Sequence, residues 1–132
     1  MEEVNELNRP GKGAMWTGRV LSALVVLMLL MGVMMSLMKK PQAIEGMKKF
    51  GWPEHLATTL AIVELACAVL YVIPATSVLG AILLTGWLGG AVATHLRVED
   101  PGAALAVVVG IVVWLALFLR EPRLRSLIPF RR

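Results

Sequence analysis

Four apolar runs constrain the fold of this chain more than any other feature. They cover residues 16–38, 55–73, 78–96 and 103–119, and each is near the roughly 20 residues that carry an α-helix across the hydrocarbon of a bilayer. Lipid offers a backbone amide no partner, so runs of this kind must satisfy their hydrogen bonds internally, as helices do. Composition points the same way: 58% of the residues are hydrophobic and the mean hydropathy is +0.75, against roughly 45–50% apolar residues in soluble domains. The expected fold is therefore all-α, a polytopic membrane protein. It forms one antiparallel four-transmembrane-helix bundle over residues 1–132, with 1–14 and 120–132 as polar or basic tails. The first run exceeds the roughly 7–15 apolar residues of a signal peptide, and no small-residue cleavage pattern precedes Lys39, so it is expected to remain in the protein.

The net charge of +4 does not indicate nucleic acid, because the basic residues lie where the spans end. Arg9, Lys12, Arg19, Arg120, Arg123, Arg125, Arg131 and Arg132 fall on the side of the termini, and Lys39, Lys40, Lys48, Lys49 and Arg97 on the other. That excess places both termini in the cytoplasm by the positive-inside rule, with membrane lipids as the default partners of these charges. Between the first two spans, KKPQAIEGMKKFGW is too short and too charged to cross. Ala43, Ile44, Met47 and Phe50 gather on one side of a helical wheel and Glu45, Lys48 and Lys49 on another, which predicts a short amphipathic helix in the membrane interface.

Candidate chemistry is sparse. Glu64 lies about nine residues into the second span, roughly 13 Å below the interface at 1.5 Å per residue. A carboxyl group at that depth is costly and must face the bundle. It reads either as a proton relay or hydrogen-bond donor to a quinone or lipid head group, or as a buried interhelical hydrogen bond that fixes register. Ala61, Ala68 and Tyr71 lie near its face and suggest a tight apolar pocket. The third span, GAILLTGWLGGAVATHLR, carries Gly86, Gly89, Gly90, Ala93 and Thr94 on neighbouring faces. Small residues at such spacing let helices approach closely in lipid, so this span is expected to be the packed centre of the bundle. It ends in His95 and Arg97.

The tight turn at residues 74–77 makes the second and third spans antiparallel neighbours, bringing Glu54 and His55 to the same end as His95 and Arg97. Two histidines there could hold a metal or haem, but their helix-terminal positions explain them without one, and no metal site is assigned. The single cysteine, Cys67, excludes dithiol redox chemistry and reads as a small buried apolar residue. Met28, Met31, Met35 and Met38 recur at helical spacing without His or Cys beside them, which favours packing over copper ligation.

Taken together, the FGWP loop at residues 50–53, the run ELACAVLYVIP at 64–74 and the stretch GAILLTGWLGGAVATHLR at 80–97 resemble the DoxX-like family of small four-helix membrane proteins. The resemblance covers about residues 16–119. It implies a four-span bundle, in bacteria in the inner membrane, and a link to quinone-dependent oxidoreductase complexes such as the small subunit of thiosulfate:quinone oxidoreductase. Eukaryotic relatives in the wider group act as receptor-assembly or cargo factors, so fold does not settle function. Carried over by motif, the polar residues of interest are Glu64, Thr94, His95 and Arg97.

Two expectations follow. In one, the chain is an accessory subunit of a quinone-linked redox system and binds a quinone or lipid between its second and third spans, using Glu64, Tyr71, Thr94, His95 and Arg97. In the other, it is an assembly or scaffold factor that associates with partner membrane proteins or with itself through the glycine-rich face. No residue pattern encodes a redox cofactor, and a quinone is the one small molecule the resemblance suggests.

Overall fold

A computed structural model describes residues 10–125 and 127, all of whose regular structure is helical. Helix α1 spans Lys12–Leu37, α2 Pro41–Lys49, α3 Leu56–Val72, α4 Ser77–Arg97, α5 Gly102–Arg120 and the short α6 Pro122–Arg125; a single 3-10 turn, Pro74–Thr76, links α3 to α4. Three stretches are long and apolar enough to cross a membrane: Lys12–Leu37, Pro74–Arg97 and Gly102–Arg120, of 26, 24 and 19 residues. With that many spanning helices the chain is an integral membrane protein. Helix α3 is equally apolar but shorter, at 17 residues. Most of the N-terminal tail and the end of the basic C-terminal tail lie outside the described residues.

The four long helices form a ring in which α1 packs on α3 and α5, and α4 packs on the same two. Short connections force α3 and α4, and then α4 and α5, to run antiparallel. Among the described residues neither diagonal pair, α1 with α4 or α3 with α5, brings its backbones together. Side chains fill the space between them. Leu84, Val113, Leu117 and Tyr71 are fully buried there, with Leu29, Ala68 and Ala81 around them.

The outward faces are as apolar as the core. Leu24, Leu27, Met31, Ile62, Leu105 and Ile111 are all more than half exposed, an arrangement that in water would make one continuous adhesive patch and in lipid is the natural contact surface. Met28, Met31 and Met38 belong to this outer surface, so the methionine stripe faces outward instead of filling the bundle. Cys67 is buried and unpaired, as a small core residue should be.

The close helix contacts are not those expected from the glycine-rich stretch. Gly86, Gly89, Gly90 and Ala93 are all exposed, and a Cβ on any of the three glycines meets no atom within 4 Å. The tight crossings are at Gly80, where α4 lies against the backbone of Tyr71 and Leu70, and at Gly18, where α1 meets Ala116 and Arg120. Lateral position on the helix decides this: Gly80 shares its face with the buried Ala81 and Leu84, while Gly86, Gly89 and Gly90 lie off the buried stripe.

Candidate functional site

Polar side chains gather at the two ends of the bundle. At the end that carries α2, the connection 98–101 is built on Glu99, whose φ of 55° places it in the left-handed region. That conformation returns the Asp100 amide to the His95 carbonyl at 3.0 Å and closes α4. The Asp100 carboxylate then accepts from the Gly102 amide at 2.8 Å and lies 2.7 Å from Nδ1 of His95. Because a carboxylate can only accept, Nδ1 must carry the proton, and Nε2 is the nitrogen left for a ligand.

Helix α2 is tied onto this turn. Lys49 pairs with the Asp100 carboxylate, Arg97 donates to the Phe50 carbonyl at the end of α2, and the Phe50 ring meets the His95 ring edge-on at 4.6 Å. Gly51, at φ +72°, lets the chain double back so that Trp52 bonds to the Met47 carbonyl at 2.8 Å. Amphipathic α2 is thereby folded over the end of α3 and α4.

Beneath it lies a cavity of about 340 Å³, walled by Phe50, Trp52, Leu60, Trp87, Thr94 and His95, with Gly86 and Gly90 among its other lining residues. Glycines without neighbours are what this stretch of α4 needs to present a flat wall to a ligand. Trp87 links the cavity to Glu64, since its side chain lines the cavity and also lies beside the Glu64 carboxyl. On its other side Glu64 faces α1 at Gly32, where a methyl group would stand 3.9 and 4.0 Å from the two carboxyl oxygens.

The structure thus brings together Thr94 and His95, and connects Glu64 to them through Trp87. Arg97 is committed to the Phe50 carbonyl and holds the roof of the cavity without lining it. Tyr71 belongs to the opposite end of the bundle. Its hydroxyl donates to the Val113 carbonyl at 2.8 Å and lies 3.3 Å from that of Ser22, and the Arg120 guanidinium lies 4.7 Å over its ring. His55 is exposed and no ion pair or ring contact joins it to His95. Among the described residues no cluster suited to a metal is found.

Sequence reasoning passed over Lys49, Phe50, Trp52, Trp87 and Asp100 as site residues. Asp100 had a signal: an aspartate side chain readily accepts from the backbone amide two residues on, here that of Gly102 at the start of α5. A larger groove of about 590 Å³ between α4 and α5 has few polar groups to offer. Its indole, Trp114, donates to Thr85 at 2.8 Å, and Thr85 donates in turn to the Ala81 carbonyl, also at 2.8 Å.

A model of the DoxX-like family matches residues 20–118, three quarters of the chain, taking in α2, α3 and α4 whole and most of α1 and α5. The chain belongs to the DoxX-like family. No curated protein and no solved structure matches it. The family match covers both Glu64 and the His95–Asp100 turn of this DoxX-like chain.

Lys49, then His95 and the Gly102 amide, hold the Asp100 carboxyl well below the usual carboxylate range. A group with a lowered folded pKa stabilises the fold above its unfolded value, about 3.9 for aspartate, and loses that contribution as pH falls toward the folded value. The tie of α2 to the 98–101 turn should therefore weaken progressively as pH falls below about 4 and be released only in stronger acid, near the folded value. A nitroxide on Gln42→Cys, at the exposed start of α2, should gain mobility over that range, and in Asp100→Asn it should be mobile already at neutral pH. Equal mobility of the two proteins at neutral pH would contradict the tie.

Proposed function

We propose that this DoxX-like chain crosses the bacterial inner membrane four times, with both termini in the cytoplasm, and serves as an accessory subunit of a quinone-linked redox system by holding a quinone head group beneath α2. Four crossings follow if α3 spans as well. Its 17 residues reach the lower end of the spanning range of roughly 17–25, and it packs between α1 and α4 along their length. The excess of arginine and lysine at the terminal end supports the orientation.

One observation carries the ligand reading: the cavity that combines three aromatic walls with Thr94, His95 and the Trp87–Glu64 pair. Its volume of about 340 Å³ falls among small-molecule sites of roughly 300–1,000 Å³. Phe50, Trp52 and Trp87 present faces and edges to a planar ring. Thr94 offers a hydroxyl to a ring oxygen. The His95–Asp100 pair can take a proton at Nε2, since an ionised carboxylate at Nδ1 stabilises the imidazolium that forms. Glu64 lies beside the Trp87 indole on the bundle side of the cavity. A bound quinone would supply two-electron redox chemistry, and the electrons would pass to partner subunits.

The protein purified in mild detergent should retain a quinone or lipid detectable by mass spectrometry, and His95→Ala or Glu64→Gln should lose it. Charge-assisted hydrogen bonds contribute on the order of 1.5–3 kcal/mol, so a loss of about tenfold or more is expected for each. Unchanged content in both variants would sink this reading. The scaffold alternative has its own observation, the uncovered stripe of Gly86, Gly89, Gly90 and Ala93, open to a partner helix or a second copy. Unchanged ligand content together with lost oligomers in Gly90→Leu would favour it.

A further inference from the structure

At the terminal end of the bundle, Arg120 is held in an unusual setting. One guanidinium nitrogen donates to the Tyr71 carbonyl at 2.8 Å, and the group stacks over the Tyr71 ring. Its Nε is buried without a partner. No carboxylate lies within ion-pair distance of Arg120 or of Arg19 among the described residues. A half-buried positive charge that meets only a carbonyl and a ring remains uncompensated. Arg19 and Arg120 both line one cleft of about 380 Å³, between α1, α3 and the end of α5, whose other polar atoms come from Ser22 and Tyr71.

The cleft continues into an apolar groove of about 280 Å³. The two share Val26 and Val72, and the groove adds Leu30, Ala68, Val69 and Ile73. Because α1 and α3 are antiparallel, the steps from Arg19 to Leu30 and from Val72 to Ala68 both lead from the helix ends toward mid-span. Eleven residues at about 1.5 Å each reach roughly 16 Å, about half of a 30 Å hydrocarbon core and so the depth of one leaflet.

We propose that this cleft and groove bind one anionic phospholipid per chain, with the phosphate between Arg19 and Arg120 and an acyl chain along α1 and α3. Two guanidinium groups that line one cleft, with no carboxylate paired to them among the described residues, select a phosphate oxyanion, for which the planar fork of arginine is suited. Inorganic phosphate would meet the same two groups but leave the groove empty. The continuous apolar wall is what favours the lipid. Anionic lipids are abundant in the cytoplasmic leaflet, the side to which the charge distribution assigns this end.

The test uses the full chain in zwitterionic detergent, with native mass spectrometry counting lipids retained as phosphatidylglycerol or phosphatidylcholine of matched acyl chains is added. One phosphatidylglycerol per chain should bind about tenfold more tightly than phosphatidylcholine, and Arg19→Gln should remove most of that preference, about one charge-assisted hydrogen bond. Arg120→Gln should do the same, but Arg120 also braces Tyr71, so the exposed Arg19 decides the outcome. Leu27→Trp, which fills the cleft from an exposed position, should weaken both lipids. Equal affinity for the two lipids, or an Arg19→Gln variant that keeps the preference, would overturn the site. Displacement of phosphatidylglycerol by millimolar inorganic phosphate would also overturn the lipid assignment and make this a free-anion site. His95→Ala should leave phosphatidylglycerol affinity unchanged, and a loss there would move the lipid to the cavity under α2.

Discussion

Gly80→Ala is expected to destabilise the bundle by about 3 kcal/mol, at the upper end of ordinary overpacking costs. A Cβ at this position would stand 2.2 Å from the Tyr71 nitrogen, 2.4 Å from its Cα and 2.6 Å from the Leu70 carbonyl carbon. All three are backbone atoms, so no rotamer change relieves the clash. Helices α3 and α4 would have to separate, and the turn Pro74–Thr76 that joins them is only a few residues away. Gly90→Ala is the matched control on the same helix. Nothing lies within 4 Å of its Cβ, and replacing glycine by alanine inside a helix gains about 0.5–1 kcal/mol. Equilibrium unfolding in mixed micelles should give opposite signs for the two variants. A Gly80→Ala protein as stable as the parent would show that this crossing is looser than described.

Tyr71→Ala should be comparably damaging. Tyr71 is fully buried in the space between the diagonal helices α3 and α5, hydrogen-bonded to Val113 and covered by Arg120. Aromatic-to-alanine changes in cores cost about 3–5 kcal/mol, and the lower end applies here because lipid, unlike water, does not drive apolar side chains inward. Tyr71→Phe separates the contributions. It keeps the ring and the stacking of Arg120 but removes the hydroxyl shared with Ser22 and Val113, at a cost of about 1–2 kcal/mol. The same unfolding measurement should rank the three proteins parent, Phe, Ala. Equal stability of the Phe and Ala variants would mean that the hydroxyl, and not the ring, holds the centre together.

The sites divide by how local their causes are. That Glu64, which is partly buried, should turn toward neighbouring helices was expected from the cost of a carboxyl among apolar residues, and its neighbour on α4 was not. Trp87 lies on α4, and only the lateral offset of α3 and α4 puts its indole beside the carboxyl. His95 was readable as a helix-terminal polar residue. Its partner depends on the left-handed turn at Glu99, which swings Asp100 back by five residues. Tyr71 shared a helical face with Glu64, but seven residues carry it about 10 Å along the axis, out of the cavity and under Arg120.

The chain by itself settled that the protein is helical and lives in a membrane, and which of its segments are helices. Those properties depend on the solvent and on hydrogen bonds between residues four apart, both of which can be read along a single strand of sequence. It also placed the amphipathic α2, since one face of a helix can be judged from its own residues. Tertiary structure decided which glycine is a crossing and which an open wall, that α2 roofs a cavity, and that two arginines line one cleft. Each of these is a relation between helices, set by their rotation and offset. In lipid almost every face is apolar, so hydrophobic periodicity carries little record of that choice.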